Sequence, residues 1–217
     1  MTAMAPSHTT MAVPDVADHG LHRRCDQVTP GPPPQESPGQ AVGPDEFRRI
    51  QGSPDQAVGS DEFRRILAHA PSSVVVVTGS GADGPAGLSV GSFVSVSLDP
   101  PLIGFFVGKT SSSWPTVRAT GRFCVNVLAA DQTEVSRRFA VKGGDKFADI
   151  AWSYGTAGLP VIDNCVAWIG CRLEREIETG DHVLVLGRVL DLKMARDAHA
   201  LIFHRGSYTS TGGFPPI

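Results

Sequence analysis

No apolar run in this chain of 217 residues approaches the roughly 20 residues of a membrane span. Val74 to Val77 and Leu102 to Val107 are among the longest, which leaves no expectation of a membrane-embedded helix. Met1 to Thr10 lacks the basic and apolar regions of a secretory signal, so the chain is expected to be cytoplasmic. Charge of one sign is lacking too. The formal net charge is −3, so no electrostatic binding to nucleic acid or membrane is expected. Cysteine is scarce: Cys25, Cys124, Cys165 and Cys171 have no C-x-x-C spacing, which argues against a zinc site and a disulfide framework and for reduced, mostly buried thiols. Nor does any metal cluster, carboxylate pair or nucleophile triad stand out. The overall balance, 41% hydrophobic and 19% charged with 24 Gly and 17 Pro, suits a globular protein.

The residues present divide unevenly. Residues 1–59 carry nine of the 17 prolines, one aromatic (Phe47) and a net charge of −3. So few large apolar groups cannot offset the entropy of ordering, and a disordered tail is expected there, followed by one domain over 60–217. Within the tail, Ser37 to Ile50 repeats as Ser53 to Ile66 with twelve of fourteen positions identical. The second copy leads into the domain, where Ser60 is placed to cap a short helix. Two copies do not make a solenoid, and a small duplication without a role is the plainer reading.

From there the pattern is mostly strand. Ser73 to Thr78 is Val-rich, Ser80 to Gly87 has turn chemistry, and Leu88 to Leu98 alternates, with Val90, Val94, Val96 and Leu98 on one face. Pro100 and Pro101 stop that strand, and Leu102 to Val107 forms another. Ser113 begins a helix ended by Gly121; Arg122 to Leu128 is a strand, and Asp131 to Phe139 a helix. Two long strands near Val166–Glu178 and His182–Met194 precede a short one at Ala200–His204. Strands follow one another without regular crossover helices, so the expected fold is mainly β, an antiparallel barrel with a few short flanking helices.

One motif misleads. Gly79-Ser80-Gly81-Ala82-Asp83-Gly84 spells the dinucleotide-binding fingerprint, but Pro85, Gly87 and a Ser-rich alternating run follow where a helix is required. A hairpin is the better reading.

Chemistry concentrates further on. Ser89, Ser92, Ser95 and Ser97 let a ligand approach the backbone. Lys109 followed by Thr110, Ser111, Ser112 and Ser113 at a helix start suits a phosphate. The order of several segments adds specificity: Gly87-Leu88-Ser89-Val90-Gly91-Ser92-Phe93-Val94-Ser95-Val96-Ser97-Leu98-Asp99-Pro100-Pro101, then Lys109-Thr110-Ser111-Ser112-Ser113-Trp114, then Gly121-Arg122-Phe123-Cys124-Val125-Asn126-Val127-Leu128, and later Arg138-Phe139, Asp145-Lys146-Phe147, Gly180-Asp181-His182 and Phe203-His204-Arg205-Gly206 with Tyr208. Over about residues 60–210 this closely resembles the flavin reductase-like family, the short-chain reductase components of two-component flavin monooxygenases.

The resemblance implies a flavin-binding split barrel working as a homodimer. It implies an NAD(P)H:flavin oxidoreductase that transfers hydride to flavin N5 and releases reduced flavin to a partner monooxygenase. FAD is favoured over FMN, and NADH over NADPH; a non-catalytic flavin carrier on the same barrel is the alternative. Ser89, Val90, Gly91, Ser92, Phe93, Ser95, Val96 and Ser97 would line the ring and ribityl chain. Lys109, Thr110 and Ser111 would hold the phosphate, and Arg138 and Phe139 would close over the cofactor. Phe203, His204, Arg205, Gly206 and Tyr208 would face the nicotinamide nucleotide, with Asp181 and His182 nearby and His204 as the catalytic candidate. Gly91 departs from the hydroxyl or amide residue common in the family, which leaves a backbone contact there. Trp114, Trp152 and Trp168 read as packing.

Overall fold

A computed structural model describes residues 58–155 and 158–212. The disordered-tail expectation and the first repeat copy lie outside the described residues.

Seven strands form one antiparallel sheet: β2 (Val75–Gly81), β3 (Gly84–Val90), β4 (Val94–Leu98), β5 (Pro101–Gly108), β6 (Arg122–Val127), β9 (Ala167–Thr179) and β10 (His182–Met194). Their spatial order is β3-β2-β6-β9-β10-β5-β4. Consecutive strands β3 and β4 thus stand at opposite ends of the sheet, joined only by Gly91, Ser92 and Phe93. Four residue steps reach about 14 Å at most. The sheet must therefore curl until its two edges nearly meet. They share no ladder, and the result is the expected split barrel.

The barrel interior holds Val75, Val77, Val90, Phe105, Val125 and Val185, with Phe105, Trp114 and Phe123 edge-to-face at 5.5–6.1 Å. Trp114 comes from α2 (Trp114–Val117), a single turn that buries Trp114 and Val117. A Cβ at Gly79 would lie 2.3 Å from Val117 O and one at Gly81 2.7 Å from Thr116 Cγ2, while Gly84 has φ 109°. The apparent fingerprint is thus explained by close helix packing and a two-residue hairpin turn at Ala82-Asp83.

A second cluster lies on the outer face of β2: Val74, Val76, Leu128, Phe139, Phe147, Ile162 and Leu201. Helix α3 (Thr133–Ala140), the hairpin β7–β8 (Trp152–Tyr154, Pro160–Ile162) and a small sheet β1-β11-β12 (Ser72–Ser73, Leu201–His204, Ser207–Ser210) surround it. Asn126 is its polar pin. Fully buried, it donates Nδ2 to Val76 O (3.0 Å) and Thr78 Oγ1 (3.1 Å), and accepts Ile162 N–H at 2.9 Å. Thr78 Oγ1 in turn donates to Pro160 O.

Several expectations need correction. Leu88–Leu98 is two strands with a break at Gly91–Phe93, and a register shift between Ser95 and Ser97 interrupts the alternation of β4. Hence Val90 is buried, whereas Val94, Val96 and Leu98 are exposed. The turn read over Ser80–Gly87 shrinks to two residues because β2 and β3 pair through Gly81 and Gly84. Helix α1 (Ser60–Leu67) is capped by Gly59, not Ser60, and buries none of its residues. Ser113 makes no side-chain cap; Ser111 Oγ accepts Trp114 N–H instead (3.3 Å). The short strands β1, β7, β8 and β12 were not anticipated. Cys124, Cys165 and Cys171 are free and buried as expected, and Trp114 and Trp152 pack edge-to-face with neighbouring rings.

Candidate functional site

The break between β3 and β4 exposes backbone that the barrel does not use. Ser89, Val90 and Gly91 line a cavity of about 150 Å³ with Ser72, Val74, Ser136, Phe203 and Tyr208. Val90 also belongs to the barrel core, so it joins the cavity wall to the interior. Ser89 Oγ lies 3.0 Å from Ser136 Oγ, which lies 3.0 Å from Tyr208 OH. These three hydroxyls form a chain from the β3 edge to the β11–β12 hairpin. Tyr208 is held further by Phe203 (centroids 5.2 Å) and by the Arg137 guanidinium, 5.6 Å over its ring. Arg205 (φ 49°) and Gly206 (φ 80°) form the two-residue turn of that hairpin, which requires positive φ at both positions. His204 ends β11, half-buried.

Ser92 is occupied by structure: its Oγ accepts Phe106 N–H at 2.9 Å and fastens the crossing to β5. Phe93 packs partly into the barrel core. The same contact puts the crossing beside the end of β5, three residues short of Lys109. Ser95 and Val96 are exposed and Ser97 is half-buried on β4.

Lys109 and Ser111 line a separate cleft of about 390 Å³ with Trp114, Arg118, Glu176 and Glu178. Lys109 Nζ meets Glu178 Oε2 at 2.9 Å, and Lys109 N–H donates to Asp181 O. Thr110 is exposed in the turn that follows. Glu176 clamps α2 by accepting Trp114 Nε1–H (2.7 Å) and Arg118 (2.5 Å). Asp181 and His182 close the β9–β10 turn with Oδ1 and Nδ1 2.8 Å apart. That hydrogen bond from His182 holds the Asp181 carboxyl below the usual carboxylate range.

The two residues expected to close over the cofactor, Arg138 and Phe139, have different surroundings. Arg138 reaches Ala148 O and Asp149 at the rim of a cleft of about 500 Å³. Phe139 is 1% exposed and packs against Phe147 in the outer cluster (centroids 5.0 Å), so its ring is core and does not close over a ligand. Adjacent helix positions point about 100° apart, and here one side chain reaches the rim while the other enters the core.

Two residues have site geometry that the sequence did not reveal. Ser136 is 1% exposed, the middle of the hydroxyl chain; on α3 it reads as an ordinary helix polar residue. Lys146 sits over a cleft of about 230 Å³ beside Gly87, Ser112 and Ser113. Burial pushes its pKa down. Its signal was present in the Asp145-Lys146-Phe147 motif, but no role attached to it.

Backbone edge, hydroxyls and aromatic hairpin suit a flat, polar-rimmed ligand with an anionic tail. Residues 67–212 match the family model described as the flavin reductase like domain. The chain belongs to the flavin reductase-like family. It is a flavin reductase, an oxidoreductase. It is 44% identical over 152 residues to a flavin reductase of Pseudomonas putida, covering 70% of this chain and 88% of that one. It is 38% identical over 170 residues to the HsaB reductase subunit of a flavin-dependent monooxygenase of Rhodococcus jostii, covering 78% and 79%. Among solved structures it resembles the NADH:FAD oxidoreductase SgcE6 of Streptomyces globisporus, in complex with NAD and FAD fragments (TM-score 0.66, 33% identity, 73% and 98% covered). No described helix is long and apolar enough to cross a membrane.

Proposed function

We propose that this flavin reductase uses NADH to reduce FAD in preference to FMN, and passes the reduced flavin to a partner monooxygenase. The observation that carries this reading is the open β3–β4 crossing, where Ser89 to Ser92 present backbone and hydroxyls between the aromatic β11–β12 hairpin and the Lys109–Ser113 segment. The flavin ring lies along Ser89–Ser92, with its phosphate end towards Lys109–Ser113. Phe203, His204 and Tyr208 border the slot left for the nicotinamide.

When bound, the flavin would supply the electronic chemistry as the hydride acceptor. The protein's part is to orient and to exclude. Backbone N–H groups at Gly91 and Ser92 would face the ring edge of a bound flavin and stabilise negative charge there. The Ser89–Ser136–Tyr208 chain ties the β11–β12 hairpin to the β3 edge, which would hold the two rings in one register, an orientation effect of several kcal/mol. No strong acid or base is needed, which fits a site built of hydroxyls and glycine. The openness of the crossing favours release of the product.

The working form is a homodimer. Val94, Val96 and Leu98 on β4 and Leu190, Leu192 and Met194 on β10 are 47–90% exposed. The pairing of Leu98 with Pro101 and of Leu102 with Arg188 starts both rows from the same end of the sheet. So many exposed apolar side chains on neighbouring stretches of one sheet are more than a lone soluble subunit normally leaves open.

NADH oxidation followed at 340 nm with FAD, FMN and riboflavin tests the reading. Turnover with a lower KM for FAD than for FMN is expected. Flavin binding without turnover would instead make the protein a carrier.

A further inference from the structure

Two ammonium groups flank the Lys109–Ser113 segment, and they are not equivalent. Lys109 already has a counter-ion in Glu178, at 2.9 Å. Lys146 has none: no carboxylate of the described residues is in salt-bridge contact with it. Even the neighbouring Asp145 carboxylate is turned away, accepting Phe147 N–H (3.0 Å) and Ala148 N–H (3.2 Å). The three protons of Lys146 Nζ go to neutral oxygens, namely Gly87 O (3.3 Å), Phe139 O (3.2 Å) and Ser113 Oγ (3.0 Å). Neutral acceptors satisfy the hydrogen bonds but leave the positive charge in place. A half-buried charge without a partner is costly, and the fall in the Lys146 pKa reflects that cost.

The bond to Ser113 has a direction. Lys146 has no acceptor, so Ser113 Oγ must accept from it, and the Ser113 hydroxyl proton points away from Lys146. A cleft of about 230 Å³ opens beside this pair, lined also by Ser112, Thr116, Gly143 and Gly144. Gly143 (φ 74°) and Gly144 (φ 71°) keep that wall free of side chains.

We propose that Lys146 is the positioning charge for the phosphate ester of the flavin: it aims the Ser113 hydroxyl into this cleft and gives the cleft its net positive charge. This rests on the reading that the phosphate end of the flavin lies at Lys109–Ser113, and it moves the cationic role from Lys109 to Lys146.

The test compares kcat/KM for riboflavin, which has no phosphate, with kcat/KM for FMN and FAD, using NADH and the full-length chain. In Lys146→Met the preference for FMN and FAD over riboflavin is expected to fall by about tenfold or more, the size of one charge-assisted hydrogen bond. Lys146→Arg is expected to restore most of it, and Lys109→Ala to change it by less than about threefold, as befits an exposed ion pair. Because the readout is a ratio, a loss of folded protein cancels. If Lys146→Met does not fold, Lys146→Gln is read in the same way. A preference unchanged within about twofold, with a lowered thermal midpoint, would make Lys146 a structural tie only and overturn the proposal; so would a tenfold fall in Lys109→Ala alone. A wild-type protein that reduces none of the three flavins sinks the functional reading beneath it instead.

Discussion

Asn126 offers the sharpest check on how the barrel supports its site. Asn126→Leu keeps the volume and strips three hydrogen bonds from a fully buried position. The Ile162 N–H then loses its acceptor inside the outer cluster, which costs about 1–3 kcal/mol. The bonds to Val76 O and Thr78 Oγ1 add about 1 kcal/mol each. The sum is about 3–5 kcal/mol, a large part of the stability of an ordinary domain. Because Asn126 Nδ2 also feeds Thr78, whose hydroxyl holds Pro160 O, Thr78→Val is not independent. The double variant is expected to be more stable than the sum of the two losses by about 1 kcal/mol. Equilibrium urea unfolding gives both quantities, provided the slope is unchanged between variants. A loss below 1 kcal/mol in Asn126→Leu, or strict additivity with Thr78→Val, would refute the network as the fastening of the β7–β8 hairpin.

Burial pushes the Cys124 and Cys171 thiols up to about 12 and Cys165 to about 11, so all three stay protonated at pH 8. Iodoacetamide mapped by mass spectrometry is expected to leave them unlabelled in the folded protein and to label them in urea. The Asp181 carboxyl is expected to titrate below the ordinary carboxylate range by NMR and to return to it in His182→Ala. With its folded value depressed, the contribution of this pair is present above the unfolded value and is lost as pH falls through the folded one. Removing residues 1–59 is expected to leave NADH oxidation with FAD within about twofold, since the match to the family begins at residue 67; a large loss would make that segment a working part.

Much of the fold was legible because strand signals are local. The paired long strands were placed within a residue or so of Ala167–Thr179 and His182–Met194 by β-branched content and the Thr-Gly-Asp turn signal. The hairpin at Ala82-Asp83 was legible for the same reason: nothing helical follows the glycines. The alternation of β4 was not, because one extra residue between Ser95 and Ser97 inverts the faces, and no composition signal marks a bulge.

The order of residue types along the chain determined that this is an antiparallel β protein with a hydroxyl-lined edge, since backbone conformation and periodicity are set by near neighbours. What those residues face was decided only when the sheet closed. Arg138 and Phe139 adjoin in sequence yet part into solvent and core. Ser89, Ser136 and Tyr208 join into one chain from three distant segments. Lys109 and Lys146 look alike as letters, but Glu178 lies against one and only neutral oxygens against the other. Charge compensation is a property of distances through space, and the closing of the barrel sets those distances.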